Sequence, residues 1–117
     1  MPKETVERPW GKFEQFTLNE RTTVKLLYVE PNQALSLQYH NQRTEFWKVV
    51  EGSGQVVIGD GIFEAKVGDE FNIPLKTHHR IITSSERLTI LEISYGHFNE
   101  KDNILLEDKY GREATNN

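Results

Sequence analysis

Four residues carry the clearest chemical signal in this chain: Gln38, His40, Glu45 and His79. Gln38 and His40 stand two apart in an extended-looking run, so their side chains leave the same face of a strand. Glu45 follows a polar break, Asn41-Gln42-Arg43-Thr44, and can return alongside them on the next strand. His79 comes after a Gly68…Pro74 turn pattern and can close the set from another hairpin. Two imidazoles, a carboxylate and an amide oxygen inside a β fold suit one divalent ion, with Zn first and Mn, Co, Ni or Fe as alternatives.

The elements that must position these residues read as strands. Apolar residues recur at period two or in short runs, broken by Gly, Pro and Asn roughly every ten residues, the pattern of an all-β sandwich or barrel. Strands are expected near Gly11–Leu18, Thr23–Val29, Leu35–Tyr39, Glu45–Glu51, Gly54–Ile58, Gly61–Lys66, Glu70–Ile73, His79–Thr83 and Leu88–Tyr95. Gly59-Asp60-Gly61 is a tight-hairpin signal. The one weak helical period lies around Asp102–Asp108, and the ends, Met1–Val6 and Glu113–Asn117, read as polar and frayed. Many short antiparallel strands in one domain suit a double-sheet jelly roll.

At 117 residues the chain is expected to form one domain, residues 1–117, with its core at about 7–112. A formal net charge of −4 gives no reason to expect nucleic acid or an anionic membrane as partner. Any anionic substrate must be held by a local cluster of Arg and Lys. The absence of cysteine removes disulfides, thiolate ligands and cysteine nucleophiles together. The N-terminus, Met1 to Arg8, carries no apolar h-region and no segment approaches the length of a membrane span, so a cytoplasmic location is the expectation.

Spacing adds a resemblance. Glu45 is followed by six residues and then Gly52; Gly68 is followed by five and then Pro74, with His79 five positions further on. This resembles the paired motifs of the cupin superfamily, in which a jelly-roll barrel, a double-stranded β-helix, holds one metal. The first motif usually begins His-x-His, whereas Gln38-Tyr39-His40 stands here, and Gln-x-His with Glu45 and His79 resembles the metal site of phosphomannose isomerases. Outside that set, Arg8-Pro9-Trp10-Gly11, Leu35-Ser36-Leu37-Gln38, Arg43-x-Glu45-x-Trp47, Ile73-Pro74-Leu75, His79-Arg80 and Glu107-Asp108-x-Tyr110-Gly111-Arg112 follow in order. Together they are similar to the isomerase domain of type II mannose-6-phosphate isomerases, often fused to a mannose-1-phosphate guanylyltransferase. The family often has glycine where Lys76 stands, histidine where Phe46 stands and further histidines at Asn41 and Gln42. The Gly-rich nucleotide loop is absent, so guanylyl transfer is not expected.

The resemblance implies interconversion of mannose 6-phosphate and fructose 6-phosphate through an enediol. That chemistry needs a fixed cation near the sugar oxygens, a base, and a grip on phosphate. Glu92 shares parity with Leu88 and Ile90 and is the expected base, with His78 and His97 as alternatives. Arg80, Arg112, Arg43 and Lys76 are the phosphate candidates, with Tyr110 and Trp47 as further substrate contacts and Arg112 also a candidate catalytic group. Period two sets Arg80 away from any cavity that His79 faces, which shifts weight to Arg112. Arg43 and Lys48 otherwise read as solvated surface charges.

Two other classes compete: a non-catalytic cupin that binds a sugar or nucleotide sugar, and a small metal-dependent dioxygenase, which usually shows three histidines. Gln38 argues against the second. A homodimer is expected, through an outward apolar face of Phe46, Val50, Leu91 and Ile93.

Overall fold

The computed structural model describes residues 3–107. Ten strands form there: β1 Glu4–Arg8, β2 Gly11–Gln15, β3 Thr22–Val29, β4 Leu37–Tyr39, β5 Arg43–Ile58, β6 Gly61–Lys66, β7 Glu70–Ile73, β8 His79–Ile82, β9 Leu88–Gly96 and β10 Ile104–Glu107. A 3-10 turn, Glu100–Asp102, precedes β10. β1 and β2 form a hairpin of their own; the other strands run in the order β10-β4-β8-β5-β9-β3, with β6 and β7 also paired to β5.

β5 organises the barrel. Its first half pairs with β7 and β9, and its second half pairs with β6 and β8, all antiparallel. The sequence suggested two strands there, broken at Gly52-Ser53. Instead the chain stays extended for 16 residues and turns the corner between two sheets. A register shift between Val49 and Glu51 and the left-handed φ of 78° at Gly52 supply the bend. A Cβ at Gly52 would lie 1.8 Å from the Arg87 carbonyl oxygen, so only glycine lets the two backbones pass. The β5–β6 hairpin has the expected two-residue loop, with Gly59 at φ 58° where a II′ turn requires it.

Inward positions along each strand change character at one level of the barrel. On β5 they run Arg43, Glu45, Trp47, Val49; on β9, Ser94, Glu92, Ile90, Leu88; on β8, His79 and then Ile81; and all of these are buried. The apolar half packs Val29, Trp47, Val49, Val56, Ala65, Ile73, Ile81, Leu88 and Ile90 into the core. Each such side chain contributes about 1.5–3 kcal/mol on burial, which secures that half and lets the other remain polar.

Three expectations are corrected. The segment Met1–Val6 is not simply frayed, because Glu4–Arg8 is a strand. The stretch around Asp102–Asp108 ends a 3-10 turn and then forms β10 up to Glu107, because β4 offers it an edge: Ile104 pairs Tyr39 and Leu105 pairs Gln38. Phe46 and Ile93 do not face outward to a partner; they are only 5% and 3% exposed. The N-terminal segment packs on Phe46 and is tied down beside it: the Phe16 ring lies 5.5 Å from that of Phe46, Tyr95 donates to the Phe16 carbonyl, and Lys3 and Lys48 both bridge Glu14 and Glu70. Lys48 is therefore an ion-paired strap residue, not a free surface charge. Among the described residues no helix is long and apolar enough to cross a membrane.

Candidate metal centre

At the polar end of the barrel His40, Glu45 and His79 converge, each no more than 4% exposed. Their ligand atoms all lie within 4.8 Å of one another. The strand pairing explains the meeting. His79 opens β8 directly opposite Gln38 on β4, and Glu45 lies across β5 from Ser94 on β9. Directly opposed residues share a face, so Gln38 and His79 enter the same cavity, of about 120 Å3.

The hydrogen bonds fix the imidazoles. His40 Nδ1 donates to the Asp102 carbonyl at 3.2 Å, and His79 Nδ1 donates to the Thr77 carbonyl at 2.9 Å. A carbonyl only accepts, so both protons sit on Nδ1 and both Nε2 atoms carry lone pairs. Those Nε2 atoms lie 3.6 and 3.3 Å from one oxygen, Glu45 Oε1, and His40 Nε2 also accepts from Arg43 Nη2 at 3.4 Å. That oxygen is buried and has no hydrogen-bond partner. Lone pairs turned on one point repel each other; Arg43 offsets part of that repulsion, and a cation bound among the three would offset the rest. The arrangement fits a divalent ion held by His40, Glu45 and His79, with the Gln38 amide oxygen as a candidate fourth donor from the strand beside His79.

Glu45 is suited to ligation. Its second oxygen accepts from Arg43 Nε at 3.3 Å and from Ser94 Oγ at 3.2 Å, leaving Oε1 for the metal.

Glu92 stands on the cavity wall, 7% exposed. Burial, and then the negative charge of Glu45, push its carboxyl up to about 7 from 4.5, against the pull of a hydrogen bond from Trp47 and the charges of Lys25 and Arg43. Trp47 donates Nε1–H to Glu92 Oε2 at 3.1 Å, while its ring stands edge-on to His79. It is wall and brace at 1% exposure.

Other candidates sit elsewhere. Arg80 is not on the cavity wall; its Nε donates to the Leu35 carbonyl at 3.1 Å. Lys76 is exposed, with φ 60°, and its backbone N–H donates to the His40 carbonyl at 2.7 Å. That conformation accounts for glycine at this position in the similar family. His78 and His97 do not line the cavity. Tyr110 and Arg112 lie outside the described residues.

Arg43, which looks like a surface charge in the sequence, and Lys25, Asp102 and Asn103, which carry no local signal, also surround the site. Arg43 is 3% exposed and reaches Asn103 Oδ1 at 2.7 Å. Its parity with Glu45 and Trp47 was the available signal. Asp102 receives the backbone N–H groups of Asn41 at 3.1 Å and Gln42 at 2.9 Å on its carboxylate, a link between residues sixty apart that no local pattern announces.

An all-β double-stranded β-helix with a buried His/Glu/His centre defines a cupin-type domain. The solved structures agree: a cupin 2 conserved barrel domain protein from Rhodopseudomonas palustris superposes with a TM-score of 0.64 over 72% of this chain and 58% of that one, at 20% identity. A structure described as a sugar phosphate isomerase from a cupin superfamily, from Silicibacter pomeroyi, gives 0.60 over 68% and 53% at 26% identity. The family model for the mannose-6-phosphate isomerase C-terminal domain matches residues 2–108, and the chain belongs to that family. Relatives include the alginate biosynthesis protein AlgA of Pseudomonas aeruginosa, 38% identical over 93% of this chain and 23% of that protein. The mannose-1-phosphate guanylyltransferase ManC of Salmonella typhimurium is 35% identical over 92% and 23%. The chain thus spans about a quarter of the length of these relatives.

Proposed function

We propose that this chain is a divalent-metal-dependent aldose–ketose isomerase that interconverts mannose 6-phosphate and fructose 6-phosphate. The carrying observation is the orphaned Glu45 Oε1 facing two lone-pair Nε2 atoms at the buried end of a cupin barrel. Membership of the mannose-6-phosphate isomerase C-terminal family supports the choice of sugar.

When bound by His40, Glu45, His79 and Gln38, the metal supplies a fixed positive charge that stabilises oxyanion character on the sugar. Glu92 takes the proton from C2 of the aldose and returns it to C1 while the hydroxyl proton passes from O2 to O1, the reverse transfers serving the opposite direction. A carboxyl that ionises near neutrality suits both halves of that exchange. Trp47 orients Glu92 and excludes water on the core side.

The reading includes a second copy as partner. β3 is a sheet edge, and Val24, Leu26 and Tyr28 on its outer face are 56%, 49% and 57% exposed. This row replaces the Phe46–Ile93 face as the surface a homodimer would bury.

The direct test is conversion of mannose 6-phosphate to fructose 6-phosphate by purified protein supplied in turn with Zn, Mn, Co, Ni and Fe(II). Tight sugar-phosphate binding without turnover under every metal would instead mark a binding module.

A further inference from the structure

Two cations share one aromatic ring at the cavity. Lys25 Nζ lies 4.2 Å from the centroid of the Phe98 ring, and the Arg43 guanidinium carbon lies 4.3 Å from the same centroid. Both residues line the cavity that holds Gln38, His40, Glu45, His79 and Glu92. The negative face of an aromatic ring attracts a cation, so Phe98 stabilises both charges beside the cavity. Arg43 is also held in place by Asn103 and Glu45. Lys25 is placed by register, directly across from Glu92 on β9.

Charge balance then selects the guest. The ionisable groups lining the cavity, besides the two imidazoles, are two acids, Glu45 and Glu92, and two cations, Lys25 and Arg43. A divalent ion on Glu45 leaves this enclosure net positive, so an anion is the complementary ligand.

We propose that Lys25 and Arg43, gathered on Phe98, form the anion subsite of this cavity, and that the group it takes is the phosphate monoester of the sugar. The identity of the ester rests on the isomerase reading, whereas the binding of an anion rests on the cations and their ring. The Arg43 nitrogens are bonded to Glu45, His40, Asn99 and Asn103, so Arg43 adds a fixed positive charge, and the Lys25 ammonium, from β3, is the group that donates to the phosphate oxygens. Arg80 then has no part in phosphate binding.

The experiment is calorimetric titration of the metal-loaded protein with inorganic phosphate, repeated after chelation, for wild type, Lys25→Met, Lys25→Arg and Phe98→Leu, with metal content recorded for each. Lys25→Met is expected to raise the phosphate Kd at least tenfold in both metal states, Lys25→Arg to recover most of the affinity, and Phe98→Leu to weaken it several-fold, all with one metal retained. In turnover, Lys25→Met should raise KM for mannose 6-phosphate more than it lowers kcat. Three outcomes overturn the subsite: no phosphate binding by wild type, affinity indifferent to both Lys25→Met and Phe98→Leu, or binding that needs the metal and ignores Lys25. If phosphate binding follows Lys25 but no variant or wild type turns over, the subsite stands and the isomerase reading falls.

Discussion

The Asp102 carbonyl accepts the Nδ1 proton of His40 at 3.2 Å, while the Asp102 carboxylate accepts the N–H groups of Asn41 and Gln42 that follow that histidine. One residue thereby fixes the tautomer of a candidate metal ligand and the turn that carries it. Substitution leaves the carbonyl but removes the carboxylate clasp. Asp102→Ala should therefore lower metal affinity about 10- to 100-fold, as loss of such supporting bonds does at metal sites. Asp102→Asn, which can still accept one N–H, should recover part of it. A competitive metal titration reads both, and unchanged affinity in Asp102→Ala would contradict the clasp.

Gln38, paired with His79 on the adjacent strand and lining the same cavity, is the candidate fourth ligand. Gln38→Leu should keep the fold, since Leu105 and His79 flank it on paired strands, but weaken metal binding by at least tenfold. Cobalt absorption spectra of wild type and variant would show the change in coordination. Identical spectra and affinities would remove Gln38 from the ligand set.

Glu92 sets two opposite pH trends. As a base it must be ionised, so kcat/KM should rise with pH along an acid limb. Metal on Glu45 cancels the second cause of its upward shift, placing that limb between 4.5 and about 7. Glu92→Gln should lower kcat by about 10²- to 10⁴-fold with metal content unchanged.

Stability of the metal-free protein should respond the other way. A carboxyl whose folded value exceeds its unfolded 4.5 favours the fold only while protonated. Stability should then fall as pH rises from 4.5 to about 7, by on the order of 3 kcal/mol at most. Glu92→Gln should flatten that slope in denaturant titrations against pH.

A dimer built on the outer face of β3 should dissociate when that face is made polar. Leu26→Lys should shift the light-scattering mass from two copies to one at micromolar concentration, with metal content preserved. A monomeric wild type would contradict the homodimer.

How far the sequence alone reaches is clearest strand by strand. The turn residues marked most strand limits, and period two put Gln38 with His40 and Glu92 with Ile90, because burial on one side leaves an alternating record. β3 resisted the same logic: Val24, Leu26 and Tyr28 alternate with Leu27 and Val29, so both faces read as apolar and Lys25 gave no sign of facing inward. Arg43 looked like a surface charge because nothing local shows the Glu45, Asn103 and Phe98 contacts that compensate its burial. β1 and β10 were missed for a related reason. Their pairing depends on partners, Gly11–Gln15 and Leu37–Tyr39, more than on their own pattern.

The central claim is tested most directly by one paired measurement on wild type and His79→Ala: metal content per chain together with the rate of mannose 6-phosphate conversion. One divalent ion per wild-type chain, with both the ion and the turnover lost in His79→Ala, is the predicted result. Full turnover by His79→Ala, or by wild type stripped of metal, would contradict it.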